Sequence, residues 1–232
     1  MKTLKRLVLL PLFCGLLFTT ACTEQYENGN DTDNGYYNDN GYDNGGDIPF
    51  NRTITAVIEN GNNYDDLINK VAITLWSDDR DHTIATGTWS NGAFTITLPE
   101  TINAEFLSSF FDISLPQDFY ISDASARWMG DGVIRAYDEQ QRQIGILSNR
   151  SVDNAFWSGL VYVDRDITAR GTLPSSFYDN DGGVASYQIW NFQHRAGWNR
   201  VYFTEKREGR IDLYVSSEPI SGLLWFFDYW GQ

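Results

Sequence analysis

The chain has 232 residues, 42% of them hydrophobic, which is enough for a sizeable core, and it sets 31 acidic against 17 basic side chains for a formal net charge of −14. That charge repels phosphate polymers and anionic headgroups, which excludes a nucleic-acid partner and docking on a membrane through a basic patch. Aromatic residues make up 15% of the chain, with eight Trp, while histidine is limited to His82 and His194.

The predicted elements begin with a leader over residues 1–21. Lys2, Lys5 and Arg6 precede an apolar run from Leu7 to Phe18, and small residues follow. This is the pattern of a secretory signal peptide. The run is shorter than the roughly 20 apolar residues a membrane-spanning helix needs, and Pro11 interrupts it. The next residues, Leu17-Phe18-Thr19-Thr20-Ala21-Cys22, resemble the lipobox of bacterial lipoproteins, with Thr19 standing where a branched apolar residue is usual. The resemblance implies cleavage before Cys22, acylation of its thiol and attachment to a membrane through lipid. Cys14 leaves with the leader, so lipid takes the one remaining cysteine, and neither a disulfide nor a thiolate metal site is expected. Without the three basic residues of the leader, 14 basic residues face 31 acidic ones, a net charge of −17.

Residues 22–48 form a tether. Positions 23–47 are drawn from Asp, Glu, Asn, Gly, Tyr, Thr and Gln, with seven acids and no base. With no aliphatic residue to seed a core, the segment is expected to be a disordered, self-repelling spacer. Its Asp-Asn-Gly units offer hard oxygen ligands to Ca²⁺, but none has the spacing of a calcium loop, which favours the plain spacer.

The body beyond Ile48 reads as all-β: one or two antiparallel sandwich domains of Greek-key type, divided at Leu115-Pro116-Gln117 into an N-terminal sandwich over 49–115 and a C-terminal β-rich part over 116–232. Apolar and β-branched runs predict strands at Thr53–Val57, Lys70–Trp76, Thr83–Thr88, Ala93–Leu98, Val133–Tyr137, Ile144–Leu147, Leu160–Val163, Tyr187–Phe192, Val201–Thr204, Ile211–Val215 and Leu223–Tyr229. Turn signals separate them at Ser90-Asn91-Gly92, Asp131-Gly132, Asp179-Asn180-Asp181-Gly182-Gly183 and Glu208-Gly209. One short helix is expected near Ala104–Phe110.

Val71-Ala72-Ile73-Thr74-Leu75 and Gly92-Ala93-Phe94-Thr95-Ile96-Thr97-Leu98-Pro99 resemble small sandwiches of the transthyretin or carboxypeptidase-regulatory type. With that strand, Gly197-Trp198-Asn199-Arg200-Val201-Tyr202-Phe203 and the segment from Ser216 to Phe227 resemble cell-envelope lipoproteins of gut and oral Bacteroidota, a group without an assigned activity. This resemblance implies an outer-membrane, surface-exposed β-rich body and brings no catalytic residues with it.

The motifs G-x-S-x-G, H-E-x-x-H and the phosphate-binding P-loop are absent. Asp78-Asp79-Arg80-Asp81-His82 is the densest set of metal-ligand types, yet neighbours on a strand point to opposite faces, so a solvated hairpin tip is favoured. Asp179 and Asp181 could close around Ca²⁺, the only cofactor the sequence offers a place for, although Asp-Gly runs form turns first. Most aromatic rings are expected in a core between sheets. Trp128, Trp157, Trp190, Trp198 and Trp230 are the candidates for a platform that stacks on sugar rings. The reading is a non-enzymatic, lipid-anchored envelope protein with a binding or scaffolding role outside the cell. Its expected partners are the membrane, through lipid, and a polysaccharide or envelope protein. The alternatives are a structural or adhesin-like subunit assembling through strand edges and, further behind, a glycoside hydrolase using two of the 24 acids of the body.

Overall fold

A computed structural model describes residues 50–77, 80–109, 115–130, 132–175, 186–208 and 210–230. The leader, Cys22 and the tether lie outside these residues, as do Asp78, Asp79, Asp131, Gly209 and the whole of Asp179-Asn180-Asp181-Gly182-Gly183.

The described chain is all-β. Its strands are β1 (Thr53–Val57), β2 (Lys70–Ser77), β3 (Arg80–Ser90), β4 (Ala93–Thr97), β5 (Ser108–Ser109), β6 (Tyr120–Ile121), β7 (Arg127–Met129), β8 (Val133–Tyr137), β9 (Gln143–Arg150), β10 (Phe156–Val163), β11 (Ile167–Ser175), β12 (Ser186–His194), β13 (Gly197–Arg207), β14 (Ile211–Ser216) and β15 (Leu224–Tyr229). They join one sheet in the order β1-β4-β3-β2-β8-β9-β10-β13-β14-β12-β11-β6, with β15 on β9, β7 on β10 and β5 on β7. Among these strands the pairings are antiparallel except for β12 with β14.

Period-2 patterning drives the first part. In β1, Ile54 and Ala56 turn inward while Thr53 and Thr55 face solvent, where each hydroxyl meets its partner on β4, Thr97 or Thr95, at 3.1 Å. Asn91 and Gly92, at φ 52° and 69°, make the two-residue turn that joins β3 to β4, as the sequence predicts. Asp65 fastens the short 3₁₀ turn Gly61–Tyr64 to that hairpin, its Oδ1 accepting from Trp89 Nε1 and Gly92 N, both at 2.8 Å. The ring then closes. Ile58 bridges Trp225 at the start of β15, and Glu59 N donates to Trp225 O at 2.8 Å. Hydrogen bonds therefore run around β1-β4-β3-β2-β8-β9-β15 and back to the end of β1.

Inside that ring sits a first core built on Phe94, Ile96, Val71, Ile73, Leu147 and Phe227. A second core, with Val163, Ile167, Phe192, Val201, Phe203 and Leu213, lies against the sheet β10-β13-β14-β12-β11. The two share a wall. On β10, Leu160 and Tyr162 face the first core while Val161 and Val163 face the second; on β13, Trp198 serves the first and Val201 and Phe203 the second. The compositional break at Leu115-Pro116-Gln117 does not separate the cores, because β8, β9 and β15 from beyond it pair into the ring begun by β1 to β4.

The structure departs from the sequence reading in two further places. The helix expected near Ala104–Phe110 is one 3₁₀ turn, Ala104–Phe106, after which Leu107 is extended and Ser108–Ser109 pair with β7. An unexpected strand, β11, carries Gly171 and Pro174 in its interior. Gly171 has φ 141°, and a Cβ there would lie 2.8 Å from the ring of Phe119 and 2.9 Å from its Cα. Glycine is thus what lets Phe119 close over the second core. Pro174 is tolerated because β11 is near the border of the sheet, paired on its outer side with β6 only at Ala169 and Arg170.

Candidate functional site

The five tryptophans proposed for a platform are dispersed. Trp190 is buried in the second core, with Nε1 donating to Gln188 Oε1 at 3.0 Å. Trp198 is buried in the first, with its ring edge-on to Tyr162 at 5.6 Å and Nε1 donating to Pro99 O at 2.7 Å. Neither is open to solvent, because Trp198 fills the wall between the two cores and Trp190 lies within the second core. Trp157 is half-buried and lies parallel to Phe203 at 5.3 Å, so one of its faces is covered. Trp128, also half-buried, pairs with Val163 at the other end of β10 from Trp157. Six residues of strand, about 20 Å, separate the two. Only Trp230 is open, at 52% exposure.

Trp230 belongs to a different assembly at one end of the ring. The β8 ladder skips a residue between Gln143 and Gly145, and the carbonyl of that residue, Ile144, accepts from Trp230 N at 3.0 Å. Tyr229, 45% exposed, precedes it and continues an aromatic series that runs out of the first core: Phe227 and Tyr64 meet edge-on at 4.8 Å, and Tyr229 lies 6.0 Å from Phe227 and 6.4 Å from Tyr64. Gly145 permits the close approach of β15 here, since a Cβ on it would come within 2.4 Å of Asp228 O.

Beside these rings lies a concavity of about 260 Å³ lined by Asp66, Leu67, Asp138, Glu139, Arg142 and Tyr229, among others. Leu67 is 42% exposed, so with Tyr229 the concavity has two large apolar groups in solvent, and Trp230, the residue after Tyr229, is exposed as well. The β8–β9 turn supplies the polar wall. Asp138 accepts from Arg142 N and from Arg142 Nε, both at 2.8 Å, and Gln141 at φ 62° completes the turn. Burial raises the Asp138 carboxyl, but the hydrogen bonds and charge of Arg142 outweigh it and hold the group below the usual carboxylate range. Asp138 is therefore an acceptor and not a proton donor near neutral pH. Chemically, the site offers flat apolar rings beside carboxylate, amide and guanidinium groups, the complement of a sugar's C–H face and hydroxyls.

The sequence reading included Trp230 and missed its neighbours. Tyr229 was visible as the last aromatic of β15, and Asp138-Glu139-Gln140-Gln141-Arg142 as a polar run between two apolar strands. What joins them is the pairing of β15 with β9, which no local pattern displays.

Other candidates have structural partners. Asp81 pairs with Arg135 at 2.9 Å, and Arg135 also donates to Thr74 and Gln143, so Asp81 serves the outer face of the ring. His82 packs against Phe106 at 5.0 Å. His194 is buried and stacked on Phe192 at 4.4 Å, and burial pushes its pKa down to about 4. Asp179 and Asp181 lie outside the described residues. Among the described residues, no group of three or more His, Cys, Asp or Glu side chains is placed to hold a metal ion, and no helix is long and apolar enough to cross a membrane. In comparisons with protein-family models, curated proteins and solved structures, nothing matches this chain.

Proposed function

We propose that this is a lipid-anchored protein of the cell envelope, held in the outer membrane through Cys22 and facing outward, whose β body binds polysaccharide without transforming it. The observation that carries the binding role is exposed Tyr229 on the wall of the polar concavity of Asp66, Asp138 and Arg142, with exposed Trp230 the next residue along the chain. Exposed aromatic rings next to convergent hydrogen-bonding groups are the arrangement that recognises amphipathic ligands such as sugars. The anchor rests on the leader and on the resemblance of the residues before Cys22 to a lipobox, and the acidic tether would hold the body clear of the headgroups.

Assembly through strand edges draws less support. Ile58 and Trp225 join the two ends of the ring, and β11 carries Pro174, which cannot donate to an added strand.

The test is binding of the full-length protein, in detergent micelles, to a panel of neutral and charged polysaccharides, together with Trp230→Ala. Binding to at least one chain, weakened about tenfold or more by the substitution, supports the reading. Failure to bind any of them overturns it. For the anchor, Cys22→Ala should release the protein from the membrane fraction, and retention there would overturn the lipid attachment.

A further inference from the structure

The face of the second sheet turned away from its core carries a cluster of cations on an otherwise acidic protein. Cross-strand pairing lays out three rows on it. Tyr202, Ser216, Asn191, Arg170 and Tyr120 form the first; Thr204, Tyr214, Ile189 and Thr172 the second; Lys206, Asp212, Tyr187 and Pro174 the third. From β13 to β11 and from first row to third, the grid measures about 14 by 13 Å. Alternation explains why Arg170, Thr172, Asn191 and Lys206 face outward, since Leu173, Trp190, Leu213 and Phe203, the intervening residues, occupy the second core, while Tyr202 at the β13 end of the first row is buried.

Two features mark this face as more than solvated sheet. The first is charge. Arg170 and Lys206 are exposed on it, and Arg210 leans over it from the start of β14. The one acid at these positions, Asp212, is buried and already held by Arg210, whose Nε lies 2.9 and 3.1 Å from its two oxygens. The face is therefore net positive on a chain of net charge −14. The second is the tyrosines. Lys206 Nζ sits 4.9 Å above the ring of Tyr214, and Arg210 Cζ sits 5.0 Å above Tyr187. These rings hold two long, otherwise mobile cations against the sheet.

We infer that this face binds a carboxylated polysaccharide, a chain of uronate-type sugars. The inference rests on the reading that the body binds polysaccharide, and it names a second surface and a ligand class. Guanidinium and ammonium groups take carboxylates through charge-assisted hydrogen bonds, Arg170 in the bidentate mode. The hydroxyls and amide of Thr172, Thr204, Asn191 and Ser216 lie between the cations, where sugar hydroxyls would meet them. Phosphate polymers and anionic bilayers are disfavoured because they would bring dense charge against the acidic remainder of the protein. A uronate chain needs only the width of this grid.

The experiment compares the full-length protein with polygalacturonate and with the same polymer fully methyl-esterified, which keeps the pyranose backbone and removes the charge. Polygalacturonate should bind, and more weakly by about tenfold on going from about 50 to about 300 mM NaCl. The ester should bind at least about tenfold more weakly than the acid. Arg170→Gln combined with Lys206→Gln, both at exposed positions that leave the cores intact, should weaken polygalacturonate binding by a similar factor while near-ultraviolet circular dichroism stays unchanged. Trp230→Ala should leave it unchanged. Equal binding of acid and ester, an unaffected double variant, or equally tight binding of poly-glutamate would each overturn the inference, the last by pointing to an acidic protein partner. A protein that binds neutral chains but not polygalacturonate overturns the face alone. One that binds neither overturns the polysaccharide reading as well.

Discussion

Around the first core the strands close on themselves, whereas the second core is covered by an open sheet and a strap of irregular chain. Ring closure depends on Ile58 meeting Trp225, a single bridge just past the end of β1. The second region ends in β11, whose outer neighbour is the two-residue β6, and its core is capped by Phe119 and Ala126 from the segment leading into β7. Backbone pairing thus runs around the first core, while side chains from a short strap complete the second. The difference teaches where the protein can yield. The second region should open first, and β10 and β13, which serve both cores, should set the limit of cooperativity.

The largest effect should come from that shared wall. Trp198→Ala empties a buried site in the first core, removes the edge contact to Tyr162 and leaves Pro99 O without its donor. It should cost about 4 kcal/mol in urea-denaturation experiments, with both regions weakened in one transition. A loss below about 1 kcal/mol would show that the wall is less tightly built than its packing implies.

Acid should separate the regions next. The pKa of His194 is about 4 in the folded chain against 6.5 as the ordinary value. Between those two pH values the unfolded chain takes up a proton that the native one refuses, so stability falls as pH drops from 6.5 towards 4. The full effect is roughly 3 kcal/mol. Asp123, Asp138, Asp153 and Asp164, all held below the ordinary carboxylate value of 3.8, add losses in the same direction but only at lower pH, as each is protonated. Hydrogen exchange at pH 5 should show amides of β11 and β12 opening before those of β2 and β3. His194→Phe keeps a ring on Phe192 and should flatten the slope between pH 6.5 and 4. A slope that survives the substitution would assign the acid sensitivity to other groups.

Gly171→Ala probes the strap. The substitution forces a side chain into φ 141° and against Phe119, so a loss of about 2 kcal/mol confined to the second region is expected. The same residue explains part of what the sequence concealed. Gly171 and Pro174 read as breakers, and β11 was invisible for that reason, although the glycine exists to admit Phe119 and the proline is harmless where no strand pairs beyond it. Alternation in Thr53–Val57 and Ala93–Thr97 was legible because each strand buries one face. The run Leu160-Val161-Tyr162-Val163 was equally legible as a strand, but not as a wall between two cores, since a continuous apolar run does not say what covers each side. The tryptophans failed in the same way. Their number is written in the sequence, but their exposure depends on which layer lies over them, so of the five candidates Trp190 and Trp198 went to the cores and Trp230 to the surface.

Tyr229 and Trp230 give the smallest and most discriminating stability effects, because the two neighbours are anchored differently. Tyr229 touches Phe227 and Tyr64, so its ring belongs partly to the closed region, and Tyr229→Ala should cost about 1 kcal/mol in urea denaturation. Trp230 is half exposed and its backbone N–H bonds Ile144 O, a bond that alanine preserves, so Trp230→Ala should change stability by less than about 0.5 kcal/mol. Polysaccharide affinity should reverse that order, since the ring that contributes least to the fold has the most surface left to contribute to a ligand. If Trp230→Ala lowers stability as much as Tyr229→Ala, its ring is part of the packing. Trp230 would then have little ring surface left to offer a ligand.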